Sequence, residues 1–287
     1  SGSLPVAPAI VLANVILLWR LAKREDDTQV IKIMAWGLVL KLLGSLARYY
    51  SVFVMYDGVG DAASYNNYAV TYHRLWRQGQ FFWEPSSKVG TQNLELITTA
   101  VYTVIGPAPL AGFLVFASFA YWGVYLMYRA FRIAVPGGNY RLYAALIFYL
   151  PSLLFWPSSI GKEAWLMLWL GVLTLGAAKL FADQPWAFTL LGLGVLGTSL
   201  VRPHITVLAI AALLVAQLFR PTANQAISVL YKVASVAVLA FATMILVTQS
   251  ADFLGIDELT GRAVSDKIDW AGGQTGQGGS VFTPVHL

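Results

Sequence analysis

Long apolar runs, separated by short polar segments, decide what this chain can fold into. A helix needs about 20 mostly apolar residues to cross the hydrocarbon core of a bilayer. Several runs in the chain reach that length, among them 30–55 and 109–130. Only 11% of the residues are charged, against about 25% in an ordinary soluble domain. The predicted fold class is therefore an all-α integral membrane protein.

About eight transmembrane helices are predicted from these runs. The predicted spans lie near residues 4–20, 30–55, 109–130, 141–157, 163–182, 186–201, 203–219 and 227–249. Together they predict a transmembrane helical domain over 1–249, followed by an external, polar and glycine-rich tail at 250–287. Residues 94–105 form a shorter apolar stretch that contains Glu95. We expect a re-entrant or juxtamembrane helix there, inside an external loop at 56–108.

Basic residues predict the orientation and the location. Four of them lie between residues 20 and 32, and short loops rich in Lys and Arg face the cytoplasm. If 94–105 does not cross, Arg129, Arg132 and Arg141 fall on the same side. The predicted location is the plasma (inner) membrane, with the chemically active face external or periplasmic. Although the net charge is +5, the basic residues are scattered between apolar runs, so we expect membrane lipids and no nucleic acid as partners.

The first polar segment contains two carboxylates, in the sequence MYDGVGDAASYNNY at 55–68. Glycines beside Asp57 and Asp61 favour a loop, and Asp61 is predicted to cap a helix that begins at about Ala62. Tyr65 and Tyr68 then recur at helical spacing, as in a helix lying on the membrane surface. The alternative is an ordinary helix cap with no chemistry.

Two cations lie within the second predicted span. Lys41 and Arg48 are seven residues apart and share one face of the helix. Ionisable groups inside a membrane are costly, which makes each a functional candidate. Arg48 is close to the external end and could bind a phosphate with two parallel hydrogen bonds. Lys41 could instead be a structural ion-pair partner.

Further polar groups are predicted on the same face. Lys162 and Glu163 begin a helix, whose free N–H groups attract an anion. Arg202 and His204 lie in the tight turn between two later spans. The alternatives are a helix–helix turn with an adjacent ion pair and a histidine that only forms hydrogen bonds. The chain has no cysteine and no His, Asp and Glu spacing typical of a zinc site.

Three segments, taken in order, resemble the GT-C-type membrane glycosyltransferases of bacterial exopolysaccharide and cell-envelope synthesis. They are GDAASYNNYA after an early span, FWPSSIGKEAWLML at a mid-chain hairpin, and LVRPHITVLAIAALL after it. The resemblance implies a GT-C-like fold. It also implies a polyprenyl-phosphate-linked sugar as donor and a hydroxyl of a cell-envelope glycan or lipid as acceptor.

The resemblance also implies roles for individual residues. Asp61 would be the acidic residue that acts as the base and accepts the proton of the acceptor hydroxyl, with Asp57 as the second candidate. The donor phosphate would be bound by Arg48, Lys162, Arg202 and His204. Tyr65, Tyr68 and Trp156 would stack on sugar rings. Metal dependence stays open, with Mg²⁺ or Mn²⁺ as the cation to consider.

Two other classes of protein fit the composition. A transporter or lipid flippase would have broken helices and ionisable groups near the middle of the membrane, and Lys41 is the charge that fits it. A non-catalytic membrane subunit of a polysaccharide assembly complex would position another enzyme. Neither class requires acids and cations to gather on one face.

Overall fold

A computed structural model describes residues 6–82 and 89–218, together with the single positions 233, 237 and 244. Every regular element in the described ranges is helical. The helices are α1 (Val6–Ala22), α2 (Thr28–Tyr50), α3 (Asp61–Arg77), α4 (Val89–Ile105), α5 (Pro109–Ala134), α6 (Tyr140–Tyr149), α7 (Pro151–Phe155), α8 (Lys162–Phe181), α9 (Ala187–Ser199) and α10 (Pro203–Leu218). The chain divides into two compact units, and the second begins at Pro203 with α10.

Three of the described helices are long and apolar enough to cross a membrane. They are α5, α8, and α2 extended by a π-helical turn to Met55. Helices α1, α9 and most of α10 are shorter apolar helices. The membrane-protein class is thus supported, with three candidate spans in the described residues. The predicted span at 227–249 and the tail at 250–287 lie outside the described residues, apart from three single positions.

Large apolar side chains point away from the protein on several of these helices. Trp36 on α2 is 62% exposed and Phe188 on α9 is 77% exposed. In a soluble protein, apolar patches of this kind would be contacted by a partner. Lipid chains cover them at no such cost, so the outer surface fits a bilayer.

Helix α5 lies at the centre of the first unit and packs against α1, α2, α6 and α8. Its closest approach is to α8, where Gly123 of α5 faces Gly171 of α8. A Cβ added at Gly171 would lie 2.8 Å from the Cα of Gly123 and still closer to its carbonyl oxygen. Helices in membranes associate through such small residues, because lipid gives no hydrophobic drive to bring them together.

Helices α3 and α4 pack along each other and against the start of α5. Buried contacts include Tyr65 and Ala69 from α3, Tyr102 from α4 and Phe113 from α5. The hydroxyl of Tyr102 donates a hydrogen bond of 2.6 Å to Asn66 Oδ1. The apolar stretch 94–105 therefore belongs to α4, which packs on α3. Helix α4 is not among the three candidate spans.

Two predicted boundaries need correction. The span predicted at 141–157 is interrupted, because Pro151 has no N–H to continue α6 and Leu150 is extended. A short α7 and a 3₁₀ turn over Trp156–Ser158 follow. The predicted capping residue is also displaced by one position. Gly60 occupies the N-cap of α3 and caps it with no side chain, whereas Asp61 lies in the first turn of the helix.

Candidate functional site

The beginning of α8 is the centre of the candidate site. The chain reaches it through the turn at Ser158 and Ser159, both buried, and Gly161 occupies the N-cap position. Gly161 has no side chain to cap this helix, and no capping side-chain hydrogen bond is found among the described residues. The first N–H groups of a 20-residue helix, with the positive end of its dipole, therefore remain available to an anion.

Arg48 approaches this turn from the end of α2. Its Nη2 atom lies 3.5 Å from Ser159 Oγ, at the outer limit of a hydrogen bond. The guanidinium carbon lies 5.1 Å from the ring centre of Phe155 and 5.2 Å from that of Trp156. Arg48 Nε is buried and has no hydrogen-bond partner in the described part of the chain. A buried donor without an acceptor is costly, so an anionic acceptor at this atom would be stabilising.

Arg202 reaches the same helix from the turn after α9. Its Nη2 donates a hydrogen bond of 2.6 Å to Glu163 Oε1, and both side chains are partly exposed. Glu163 also interacts electrostatically with Arg48. The sequence left open an ion pair between the adjacent residues Lys162 and Glu163. In the structure Glu163 pairs with Arg202 instead.

Lys162 joins the start of α8 to α4. Its Nζ donates a hydrogen bond of 3.0 Å to Thr91 Oγ1. The hydroxyl of Tyr65 lies beside the same threonine side chain. Burial, reinforced by the nearby charge of Asp61, raises the pKa of Tyr65 above its usual range, so this phenol stays neutral. Lys162, Thr91 and Tyr65 form a polar connection between α3, α4 and α8.

Glu95 adjoins this connection, and sequence reasoning did not select it. It lies one helical turn after Thr91, so both residues are on one face of α4. Burial raises the pKa of Glu95, and the positive charge of Lys162 opposes the rise. The signal for it in the sequence is a lone carboxylate within the apolar stretch 94–105.

The two aspartates of the first polar segment lie at the surface. Asp57 is exposed in the turn after α2 with a positive φ of 48°. Asp61 is exposed in the first turn of α3, and its charge acts on Tyr65. Asp61 therefore lies close to the polar connection that Lys162, Thr91 and Tyr65 form. Among the described residues, no comparable electrostatic interaction ties Asp57 to that connection.

The three aromatic candidates differ in accessibility. Tyr65 is only 2% exposed, so its ring is covered and offers no face to a sugar. Tyr68 packs against Tyr72 with ring centres 4.6 Å apart. Trp156 is 60% exposed beside Arg48. Of the three predicted stacking residues, Trp156 and Tyr68 retain accessible surface.

The two remaining candidates are Lys41 and His204. Lys41 is 3% exposed, and its Nζ donates a hydrogen bond of 2.7 Å to the carbonyl of Leu153 in the short helix α7. His204 lies in the first turn of α10, in the second unit. Within the described ranges no three His, Asp or Glu side chains gather as metal ligands would.

The arrangement can bind an anion beside carboxylates and aromatic rings. Arg48, Lys162, Arg202 and the N-terminus of α8 supply positive charge, while Glu163, Glu95 and Asp61 supply negative charge around it. Phe155 and Trp156 make the surroundings of Arg48 apolar. No protein-family model, no curated protein and no solved structure matches the chain.

Proposed function

We propose that this protein is a membrane glycosyltransferase that moves a sugar from a polyprenyl-phosphate-linked donor to a hydroxyl of a cell-envelope glycan or lipid. The observation that supports the proposal is the meeting of Arg48, Ser159 and the uncapped start of α8 at the end of a membrane-spanning helix. Transfer of the sugar breaks its bond to phosphate, and negative charge grows on the leaving oxygen. Fixed cations there lower the barrier.

The surroundings of Arg48 fit a donor carried by a lipid. Arg48 lies at the end of a candidate span, next to the exposed ring of Trp156. A polyprenyl chain stays in the bilayer, so its phosphate can reach the protein only near the ends of membrane helices. An arginine held among aromatic rings at that depth is matched to a phosphate that arrives from the lipid side.

The finer parts of the proposal come from the sequence. They are a GT-C-like fold with about eight spans, an inner-membrane location with the active face external, and Asp61 as the residue that accepts the proton. His204 would help to bind the phosphate. If the reaction uses a divalent cation, the phosphate and Asp61 would hold it. Membrane lipids surround the protein, and no nucleic acid takes part.

The test is sugar transfer by the purified protein in liposomes. The donors are radiolabelled hexoses and pentoses, each linked to polyprenyl phosphate, offered with a cell-envelope lipid extract as acceptor. Arg48→Ala removes charge-assisted hydrogen bonds of about 1.5–3 kcal/mol, so we expect a loss of about tenfold to a hundredfold in transfer. Binding of polyprenyl monophosphate, measured by its protection against unfolding, should weaken in parallel.

Arg129→Ala is the matched control. Arg129 is also a partly anchored arginine of an apolar helix, but its Nη1 bonds the hydroxyl of Tyr125 on the same helix, and it lines a different cavity with Leu21 and Arg24. We expect this variant to keep wild-type transfer. If Arg48→Ala and Asp61→Asn both keep wild-type transfer, or if no donor is used at all, the proposed function is wrong.

A transporter or lipid flippase is the second candidate, and one observation favours it. The helix that begins as α6 is broken at Pro151, and the buried Lys41 bonds the Leu153 carbonyl of the short α7 that follows. Broken helices of this kind surround substrates in transporters. Movement of a fluorescent polyprenyl phosphate across liposomes, with no sugar transfer, would favour this candidate.

A further inference from the structure

We propose that Glu95 of α4, in place of Asp61, accepts the proton of the acceptor hydroxyl, an inference that rests on the proposed transferase function. Glu95 shares its helix face with Thr91, which holds Lys162 at 3.0 Å. That contact turns this face of α4 toward the beginning of α8. The carboxylate thus belongs to the same group of side chains as the cations proposed for the phosphate.

One oxygen of Glu95 lacks a partner. Its Oε2 atom is buried and accepts no hydrogen bond within the described ranges. The three ion pairs found in those ranges involve other residues. Buried carboxylate oxygens normally accept hydrogen bonds, because a buried oxygen without a donor lowers the stability of the fold. An acceptor hydroxyl that displaces the side chains covering this oxygen would satisfy it.

The setting of Glu95 suits proton transfer. Burial raises the pKa of Glu95, whereas Lys162 lowers it and keeps the ionised form accessible. A general base works best when its pKa approaches the working pH. Asp57 and Asp61 are both exposed, and neither aspartate is buried like this. The titratable groups that face Glu95 are Lys162 from α8 and Tyr65 from α3.

The proposed step balances without any added reagent. The acceptor oxygen forms a bond to the anomeric carbon, and its proton passes to a carboxylate oxygen of Glu95. The bond between the anomeric carbon and the phosphate oxygen breaks, and its electron pair stays on the phosphate, beside Arg48. The proton then leaves Glu95 for solvent.

The deciding variant is Glu95→Gln, which keeps the shape of the side chain but cannot take a proton. Loss of a general base slows reactions by about 10²–10⁴-fold. We expect a fall of that size in kcat, while binding of polyprenyl monophosphate stays at the wild-type level. The wild-type rate should fall as the pH drops through the raised pKa of Glu95, and this limb should vanish in the variant. Asp26→Asn, an exposed acid on the loop between α1 and α2, is the control and should behave as wild type.

The outcomes separate the two proposals. If Glu95→Gln transfers sugar like Asp26→Asn while Arg48→Ala is impaired, the transferase stands and the role of Glu95 is wrong. The same holds if only Asp61→Asn abolishes transfer. If the wild type transfers no sugar, both proposals are overturned.

A measurement on the wild type covers the case in which Glu95→Gln does not fold. Dicyclohexylcarbodiimide reacts with protonated carboxyl groups in apolar surroundings, and mass spectrometry locates the modified residue. We expect inactivation to follow modification of Glu95. Inactivation without modification there would overturn the inference.

Discussion

Arg48 and Lys41 lie on one face of α2, yet their side chains have different surroundings. Lys41 Nζ is bonded at 2.7 Å to the Leu153 carbonyl, which has no helical donor four residues on because residue 157 is a proline. Arg48 has a buried Nε without a partner among the described residues. Lys41 thus has a structural role, while Arg48 can still form another hydrogen bond.

Asn14 shows how a single polar residue joins two apolar helices. Its Nδ2 donates to Ser118 Oγ at 2.8 Å, and its Oδ1 accepts from Trp122 Nε1 at 2.8 Å. Asn14→Leu would leave the indole N–H of Trp122 unpaired between α1 and α5. We expect a loss of about 1–2 kcal/mol in unfolding free energy, measured by reversible denaturation in detergent micelles.

The control is the double variant Asn14→Leu with Trp122→Phe. Replacing both partners by apolar groups leaves no orphaned donor, so part of the stability should return. If the double variant loses the sum of the two single losses, Asn14 and Trp122 are not coupled. The proposed role of their hydrogen bond would then be wrong.

At the scale of helices, sequence patterns predicted where most elements lie. The apolar runs predicted at 30–55, 109–130 and 163–182 correspond to α2 with its π turn, α5 and α8. The length of an apolar run depends only on consecutive residues, so it can be predicted from the sequence. The break at Pro151 was also visible as a proline, yet hydropathy alone joined α6 and α7 because the residues on both sides are apolar.

The crossing of α5 and α8 depends on two glycines. A Cβ at Gly123 would overlap the carbonyl of Met167 and lie 2.7 Å from the Leu168 nitrogen. Because these are backbone atoms, the two helices would have to separate. We expect Gly123→Val to lower the unfolding free energy by about 1–3 kcal/mol or more, with a lower melting temperature in detergent.

Gly192 of α9 is the matched position for that experiment. A Cβ added there meets nothing within 4 Å, and a helical alanine is favoured over glycine. Gly192→Ala should therefore keep or slightly raise stability. Equal losses at both positions would mean that helix contact is not the cause.

At the scale of the whole molecule, orientation is the prediction most open to test. The chain has no cysteine, so single cysteines can be introduced without background. Ser64 on α3 and Gln29 on α2 are both exposed. We expect a membrane-impermeant maleimide to label Ser64→Cys on intact spheroplasts and Gln29→Cys only after lysis, because basic loops remain cytoplasmic.

The reversed labelling pattern would contradict the predicted topology. It would place Arg48 and the start of α8 on the cytoplasmic side. The donor would then have to be offered from that face, and the external transferase would need revision. Labelling of both cysteines on intact spheroplasts would contradict the separation of the two loops.

The sequence by itself determined the class of protein, the positions of the apolar helices and the cations worth examining. These follow from hydropathy, charge and spacing, which act between near neighbours along the chain. Only the tertiary structure decided which candidates meet. It joined Lys162 to Thr91 and Arg202 to Glu163, covered the ring of Tyr65, and left an oxygen of Glu95 without a partner among the described residues. Such contacts depend on helix packing between distant segments, and no local pattern records which faces will touch.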